Sequence, residues 1–391
     1  MLNKTDPVEQ HRIWQGKIEI ISRAPLKNAE DLAVAYTPGV AKPCLEIARD
    51  YEQSFSLTRR SNLVAVITDG TAVLGLGDIG PAAAMPVMEG KCALFKEFGG
   101  VDAFPICIDS KDTDTIVNTI ALISKSFGGI NLEDISAPRC FEIEKRLKKL
   151  CDIPVFHDDQ HGTAIIAAAA MMNACRVVGK AVQDIRVVIS GAGAAGTAIA
   201  DQLLRLGIGD ITMCDIDGIL NAENKSLDDA KISLAQRTNK IGMQGKLADA
   251  MRGADAFIGV SAPGIVSKEM VKSMADKAIV FAMANPTPEI MPDQAMEAGA
   301  AIVGTGRSDF PNQINNVLAF PGIFKGALAV RAKDITDNMK IAASKALAGF
   351  VSDEKLSKNY ILPQAFEDGI ADCVAAAVSD CARKENMARK E

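Results

Sequence analysis

The chain has 391 residues, enough for two or three domains at roughly 100–200 residues each. Hydrophobic residues make up 48% and charged residues 24%, which excludes a disordered, collagen-like or low-complexity chain. Lys plus Arg is 43 against 49 Asp plus Glu, a net charge of −6, so nucleic acid and anionic membrane surfaces are not expected partners.

From the N-terminus, the polar stretch Met1 to Asp6 lacks the apolar core of a signal peptide. Leu63 to Thr68 reads as a buried strand. Pro86 to Phe98 reads as a helix, with proline in its first turn and Gly99-Gly100 as its stop. Val101 to Ile108 reads as a strand interrupted by Pro105, and Thr113 to Phe127 as a helix closed by two glycines. Ile130 to Glu133 is a short strand. Pro138 to Leu150 is an amphipathic helix with Cys140, Ile143, Leu147 and Leu150 on one face. The longest apolar run, Ala164 to Met172, has nine residues, too few for the ~20 of a membrane span.

Past residue 160 strands and helices alternate. Asp184 to Ile189 is a strand, Thr197 to Leu206 a helix with Ile199, Leu203 and Leu206 as its stripe, and Asp210 to Asp215 the next strand. Ala256 to Val260, Ala278 to Ala284 and Ala300 to Gly304 supply three more. From Phe310-Pro311-Asn312 the chain reads mostly helical. The expected class is α/β, with a Rossmann-type doubly wound parallel sheet. The expected sections are 1–160, 161–310 and 311–391. The nine cysteines are scattered, no two closer than eight residues. They read as reduced thiols of a cytoplasmic protein, not as the close pairs of a zinc site.

Gly191-Ala192-Gly193-Ala194-Ala195-Gly196 matches G-x-G-x-x-G, with a strand before it and a helix starting inside it. Gly191 permits the tight turn, Gly193 lets backbone approach a pyrophosphate, and Gly196 lets the helix pack close to the strand. Asp215, 24 residues after Gly191, stands where an acid meets the adenosine ribose. A glycine-rich turn without a ligand is the alternative. Gly75-Leu76-Gly77-Asp78-Ile79-Gly80 matches the same pattern, but prolines follow it and no acid-ended strand does. It reads as a close-packed turn lining a cleft.

Lys91 shares a helical stripe with Val87, Leu94 and Phe98. Such a lysine either snorkels or sits in a pocket, where desolvation lowers its pKa and suits it to base catalysis. Glu133-Asp134 and Asp158-Asp159 are paired carboxylates. Without clustered cysteines they suit Mg²⁺ or Mn²⁺, or they cap helices, Asp158 or Asp159 capping one entered at Gly162-Thr163. His157 and His161 do not form a zinc motif, because Gly162 weakens a helix across them. Tyr36 adjoins a Pro-Gly turn and reads as a packed ring or a general acid. Asn285 and Asn316 fall in loops beyond strand ends, as ligand groups or turn residues.

These stretches together resemble the malic enzymes, specifically the compact bacterial type without a phosphate-acetyltransferase-like domain. The matching segments are GKIEI at 16–20, RAPLKNAEDLAVAYTPGVA at 23–41, ITDGTAVLGLGDIGP at 67–81 and EGKCALFKEFGGVDAFP at 89–105. They continue with INLEDI at 130–135, IPVFHDDQHGTA at 153–164, GAGAAG at 191–196, ANPTPE at 284–289 and NNVLAFPGIFKGAL at 315–328. The resemblance implies oxidative decarboxylation of malate to pyruvate and CO₂ with reduction of NAD or NADP. It implies Lys91 as base, Asp158 as its partner and Tyr36 as the acid that protonates the enolate. It further implies Mg²⁺ or Mn²⁺ on Glu133, Asp134 and Asp159, the dinucleotide on Gly191, Gly193, Ala194, Ala195, Gly196, Asp215 and Asn285, and substrate on Asn285 and Asn316. In compact members the tyrosine comes from a neighbouring subunit, so a homodimer is expected. Asp215 favours NAD by repelling a 2′-phosphate, while Lys225 nearby would accommodate NADP. Ala72 replaces an arginine that binds a malate carboxylate in larger members, leaving that contact unassigned. The competing readings are another dehydrogenase on the same fold, needing no metal set, and a non-catalytic dinucleotide-binding module.

Overall fold

The computed structural model describes residues 6–73, 75–224, 226–227 and 229–390. Leu74, inside one matching segment, and Lys225 lie outside the described residues. Two sheets organise the chain. The first holds β1 (Leu63–Thr68), β2 (Asp102–Cys107), β3 (Gly129–Leu132) and β4 (Val155–His157), all parallel, in the order β2-β1-β3-β4. The second holds β5 (Arg186–Ser190), β6 (Asp210–Asp215), β7 (Gly218–Ile219), β8 (Ala256–Gly259), β9 (Ile279–Ala282) and β10 (Ile302–Thr305). Its order is β10-β9-β8-β5-β6-β7, parallel except for the β6–β7 pair. The winding reverses at β5, so a crevice opens beyond the carboxyl ends of β5 and β8, where ligands bind in such sheets. The unbroken apolar runs of β1, β8 and β9 are buried on both faces, as covered parallel strands require.

The helix Asp158–Val178 ties the two sheets together. It leaves β4 directly and carries four consecutive fully buried alanines, Ala167 to Ala170. These small side chains let neighbouring elements approach closely. Among the described residues it is the one helix long and apolar enough to cross a membrane, yet 72% of its apolar window is buried inside the protein. One apolar cluster runs from Val64 and Val66 of β1 through this helix to Ile189 and Ile258 of the second sheet. It continues into the helices Phe320–Ala329, Asp337–Phe350 and Ile370–Lys384. Polar groups inside it are satisfied: Asn173 donates to the Ala348 and Ile361 carbonyls at 2.9 Å each, and Ser344 Oγ to the Ile165 carbonyl at 3.0 Å.

The α/β class and the parallel sheets are as the sequence predicts; several boundaries are not. The lysine-bearing helix spans Pro81–Gly99, so Pro81 occupies its first turn and Pro86 lies inside it. Its buried face is Met88, Cys92, Phe95 and Gly99 with Lys91 at the edge, while Val87 is 39% exposed. The stripe read from sequence is the cleft-facing flank of the real one. Thr113–Ile123 ends in a separate 3₁₀ turn, Ser124–Ser126, and Leu150 is exposed. Gly162 does not break its helix, which begins four residues earlier with His157 as N-cap; Asp158 and Asp159 are first-turn residues, not caps. A Cβ at position 162 would lie 1.9 Å from Asp158 Oδ1, so glycine there makes room for the carboxylate.

Glu289 fastens the strand ends beside the crevice. It is fully buried and accepts from Ser261 N at 2.8 Å and Ala284 N at 3.1 Å, in the loops after β8 and β9. Ser261 Oγ in turn lies 3.0 Å from Ser190 Oγ at the end of β5. Glu289→Leu leaves two amide donors unpaired, the buried one of Ala284 and the partly buried one of Ser261, and a loss of about 1–3 kcal/mol is expected, read as a lower urea midpoint. An unchanged midpoint would show that the loops hold themselves.

Candidate active site

A cleft of about 1440 Å³ lies between the carboxyl edges of the two sheets. Its walls come from the turn after β1, the helix Pro81–Gly99, the ends of β3 and β4, the glycine loop after β5, and the loops after β8 and β9. Of the turn at 75–80, Gly75 alone lines it: at φ +71° it packs so that a Cβ would lie 3.1 Å from the Asn285 carbonyl.

Lys91 enters the cleft from the helix edge and is 7% exposed. Its Nζ lies 2.5 Å from Asp158 Oδ2, 3.0 Å from Glu133 Oε1 and 4.2 Å from the centre of the Phe320 ring. Asn316 Nδ2 donates to the same Asp158 oxygen at 2.5 Å. Burial alone would lower the Lys91 pKa, as its sequence position suggests. Asp158 and Glu133 outweigh it and hold the ammonium above the ordinary lysine range. In the resting site Lys91 is therefore a charged acid, the reverse of the predicted direction. The same burial, with repulsion from Glu133, lifts the Asp158 carboxyl to about 7 against the pull of Lys91. Protonation of Asp158 is thereby brought close to neutral pH.

Glu133, Asp134 and Asp159 converge. One oxygen from each lies within 4.8 Å of the others. Asp134 sits at φ +53°, uncommon for a non-glycine residue. It is fixed by Ala72 N donating to its carbonyl at 2.9 Å and by its own N–H donating to Asp159 Oδ2 at 2.7 Å. Asp134 Oδ2 is buried with no hydrogen-bond partner among the described residues. Burial and mutual repulsion raise Glu133 to about 7, Asp134 to about 9 and Asp159 to about 6. Three convergent hard oxygen donors, one orphaned, fit a divalent cation such as Mg²⁺ or Mn²⁺. His157 is not among the clustered donors; burial holds its pKa down at about 4, so it is neutral. His161 instead bonds Glu144 at 2.9 Å, pointing away from the carboxylates.

The glycine loop has the shape a dinucleotide needs. Gly191 lies at φ +111° with a Cβ position 2.5 Å from the Val260 carbonyl. A Cβ on Gly196 would lie 1.8 Å from the Gly191 carbonyl, while one on Gly193 would meet open space. Ala194 and Ala195 open the helix Ala194–Arg205, three residues earlier than predicted, and line the cleft. That presents a helix N-terminus to an anion. Asp215 ends β6, but its carboxylate is already engaged: Oδ1 accepts from Asp217 N at 2.9 Å, and Oδ2 lies 2.7 Å from Lys231 Nζ. Its repulsion of a 2′-phosphate is correspondingly weaker than its charge alone implies. Asn285 and Asn316 both line the cleft. Tyr36 does not: it is 67% exposed, and the site formed by one chain lacks it.

Sequence reading missed Asn131, Glu289, Lys231 and the Glu144–His161 pair. Asn131 is fully buried and donates to Glu133 Oε2 at 2.8 Å. A signal existed, since Asn131 and Glu133 are two apart on one strand and face the same way. Glu289 and Lys231 carried no local pattern.

The raised carboxyl pKa values fix a sign. A cation must displace protons that burial retains, so Mn²⁺ affinity is expected to rise between about pH 6 and pH 9, with net proton release. Calorimetric titration in two buffers of different ionisation enthalpy measures that release, and its absence would remove these carboxylates as ligands.

Comparison with known proteins adds a second line. The family description "Malic enzyme, N-terminal domain" matches residues 15–148, and "Malic enzyme, NAD binding domain" matches 160–383. The chain is 54% identical over 387 residues to the bifunctional malic/malolactic enzyme of Bacillus subtilis, covering 99% of this chain and 94% of that one. It is 54% identical over 376 residues to the NAD-dependent malic enzyme of Geobacillus stearothermophilus, covering 96% and 78%. The crystal structure of malic enzyme from Pyrococcus horikoshii superposes with a TM-score of 0.93 at 44% identity, covering 98% and 92%. With two family descriptions matched in sequence along the chain and relatives this similar over almost all of it, the chain belongs to the malic enzymes, which oxidatively decarboxylate malate with NAD(P).

Proposed function

We propose that Lys91 is the base of malate oxidation and Asp158 its proton partner. The carrying observation is the Lys91 ammonium held 2.5 Å from Asp158 inside a ring of carboxylates. Asp158 Oδ2 first takes a proton from the Lys91 ammonium, and the freed Nζ then takes the proton of the malate C2 hydroxyl. NAD(P), its pyrophosphate held by the loop of Gly191, Gly193 and Gly196, would supply the acceptor for the C2 hydride. The C3–C4 bond then breaks, CO₂ departs, and the enolate takes a proton at C3 from Tyr36. Asn285 and Asn316 orient substrate oxygens, and Asn316 also fixes the Asp158 carboxylate. Held by Glu133, Asp134 and Asp159, Mg²⁺ or Mn²⁺ would supply Lewis-acid polarisation of the C2 oxygen.

The reaction is tested with L-malate, Mn²⁺ and either NAD or NADP, following nicotinamide reduction and pyruvate together. Stoichiometric, chelator-sensitive pyruvate is expected. Lys91→Ala is expected to lower kcat by at least ~10³-fold, within the range of lost general-base catalysis, with the NAD dissociation constant unchanged. Near-normal turnover would remove Lys91 from the role. NAD is the expected preferred cofactor, supported by Asp215 at the ribose position and by the Geobacillus relative's NAD dependence. A cytoplasmic location is supported by nine unpaired cysteines.

A homodimer completes the proposal. The helices Pro7–Trp14, Ala29–Ala35 and Ala41–Arg49 contain no buried residue. Around them Ile20 is 83%, Val34 73% and Leu45 58% exposed. This exposed apolar surface supports the reading of an interface there. A second copy covering it would account for Tyr36, which one chain leaves outside its own cleft. The test is complementation. Tyr36→Phe and Lys91→Ala are each expected to be inactive, and co-refolding them is expected to restore turnover by pairing an intact lysine with a partner's tyrosine. No restoration would place the tyrosine in its own chain's site or outside catalysis.

A further inference from the structure

The malate reading leaves a charge unaccounted for. Malate is a dianion, and the centre that receives it holds four carboxylates, Glu133, Asp134 and Asp158 buried and Asp159 half-buried. With all four ionised, Lys91 charged and a divalent cation bound, that centre stays net negative. A second dicarboxylate-facing cation is needed, and Ala72 cannot provide it. Among the described residues near the cleft, the candidates are mostly neutralised. Lys91 is shared by Asp158 and Glu133, Arg139 is bound to Asp69 at 2.8 Å, and Arg307 to Asp309 at 2.7 Å.

Lys17 is different. It lines the cleft, and its Nζ donates to a backbone carbonyl, that of Pro86, at 2.7 Å. No carboxylate pairs with that ammonium among the described residues. The ammonium lies over Gly90, 3.4 Å from where a Cβ would stand, so the residue before Lys91 is bare where Lys17 crosses it. The backbone is pinned as well: Lys17 N donates to Glu89 Oε2 at 3.0 Å, and Gly16, at φ +112°, brings the chain against the same carboxylate. His11, Trp14, Gly16 and Lys17 thereby form one wall of the cleft. An ammonium on a neutral acceptor keeps its full charge and two further donors for an incoming anion.

We infer that Lys17 is a malate-binding residue, its ammonium meeting one of the two substrate carboxylates and making the site selective for a dicarboxylate. This rests on the malate reading, which wild-type turnover tests separately: if wild-type protein makes no pyruvate from malate, that reading fails and Lys17 is not at issue. With active wild type, Lys17→Met is expected to raise the malate KM about 10- to 100-fold, the worth of one charge-assisted hydrogen bond. The NAD KM and the thermal midpoint are expected to stay near wild type, and Lys17→Arg to recover most of the malate affinity. A malate KM within twofold of wild type would overturn the assignment. So would parallel losses for malate and NAD with a lowered midpoint, which would make Lys17 only the clamp of its wall. A measurement on unmodified sequence stands beside the variants. Malate, but not lactate, is expected to slow acetylation of Lys17 by an N-hydroxysuccinimide ester, read by peptide mass spectrometry; equal labelling with and without malate would also overturn the assignment.

Discussion

Four carboxylates, three of them buried, and one buried ammonium crowd one end of the cleft, and most of the site follows from keeping that arrangement folded. An isolated buried charge is very costly, so each needs a partner or a proton. Lys91 serves Asp158 and Glu133 at once, Asn131 and Asn316 each take one carboxylate oxygen, and the backbone of Asp134 takes another. What remains unpaired, including Asp134 Oδ2, is a demand for positive charge. The same imbalance that raises the carboxyl pKa values therefore makes the centre a receptor for a divalent cation and a poised proton exchanger.

The fold delivers those groups by three short routes. Glu133 and Asp134 directly follow β3, Asp158 and Asp159 directly follow β4, and the helix Pro81–Gly99, packed on β1 and β2, brings Lys91 to them from its edge. Parallel strands put their carboxyl ends on one side, so two adjacent strands suffice to gather four acids. The second sheet faces this group with its own carboxyl ends, where Glu289 holds the loops that carry Ser261 and Ala284. Oxidised cofactor and substrate are thereby confined to one cleft between two rigid edges.

Sequence carried the glycine loop, the acid pairs and the lysine because each is a local pattern with a fixed physical cause. It carried less where the cause is tertiary. Lys91 looked like a lysine heading for a lowered pKa, since desolvation is visible in a helical stripe and the two opposing carboxylates are not. Gly162 looked like a helix breaker, whereas it accommodates Asp158 from the preceding turn. Asp215 reads as a bare charge until Lys231, sixteen positions later, is folded against it. Tyr36 is legible as a motif but not as a location, because one chain does not contain its surroundings.

The helix Asp158–Val178 joins chemistry to architecture in one rigid piece. Its first turn holds Asp158 and Asp159, and the rest, about 30 Å long at 1.5 Å per residue, is sunk in the core shared by both sheets. It works as a lever whose short end is the proton relay. Its middle carries the four alanines Ala167 to Ala170 between buried Ile165, Ile166 and Met171, and such close packing leaves little space to absorb a displacement. Repacking far along the helix, near Asn173 and its bonds to Ala348 and Ile361, is therefore transmitted to the carboxylates instead of being lost on the way. Variation in the C-terminal helices thus offers this enzyme a route to retune proton transfer without touching any residue of the cleft.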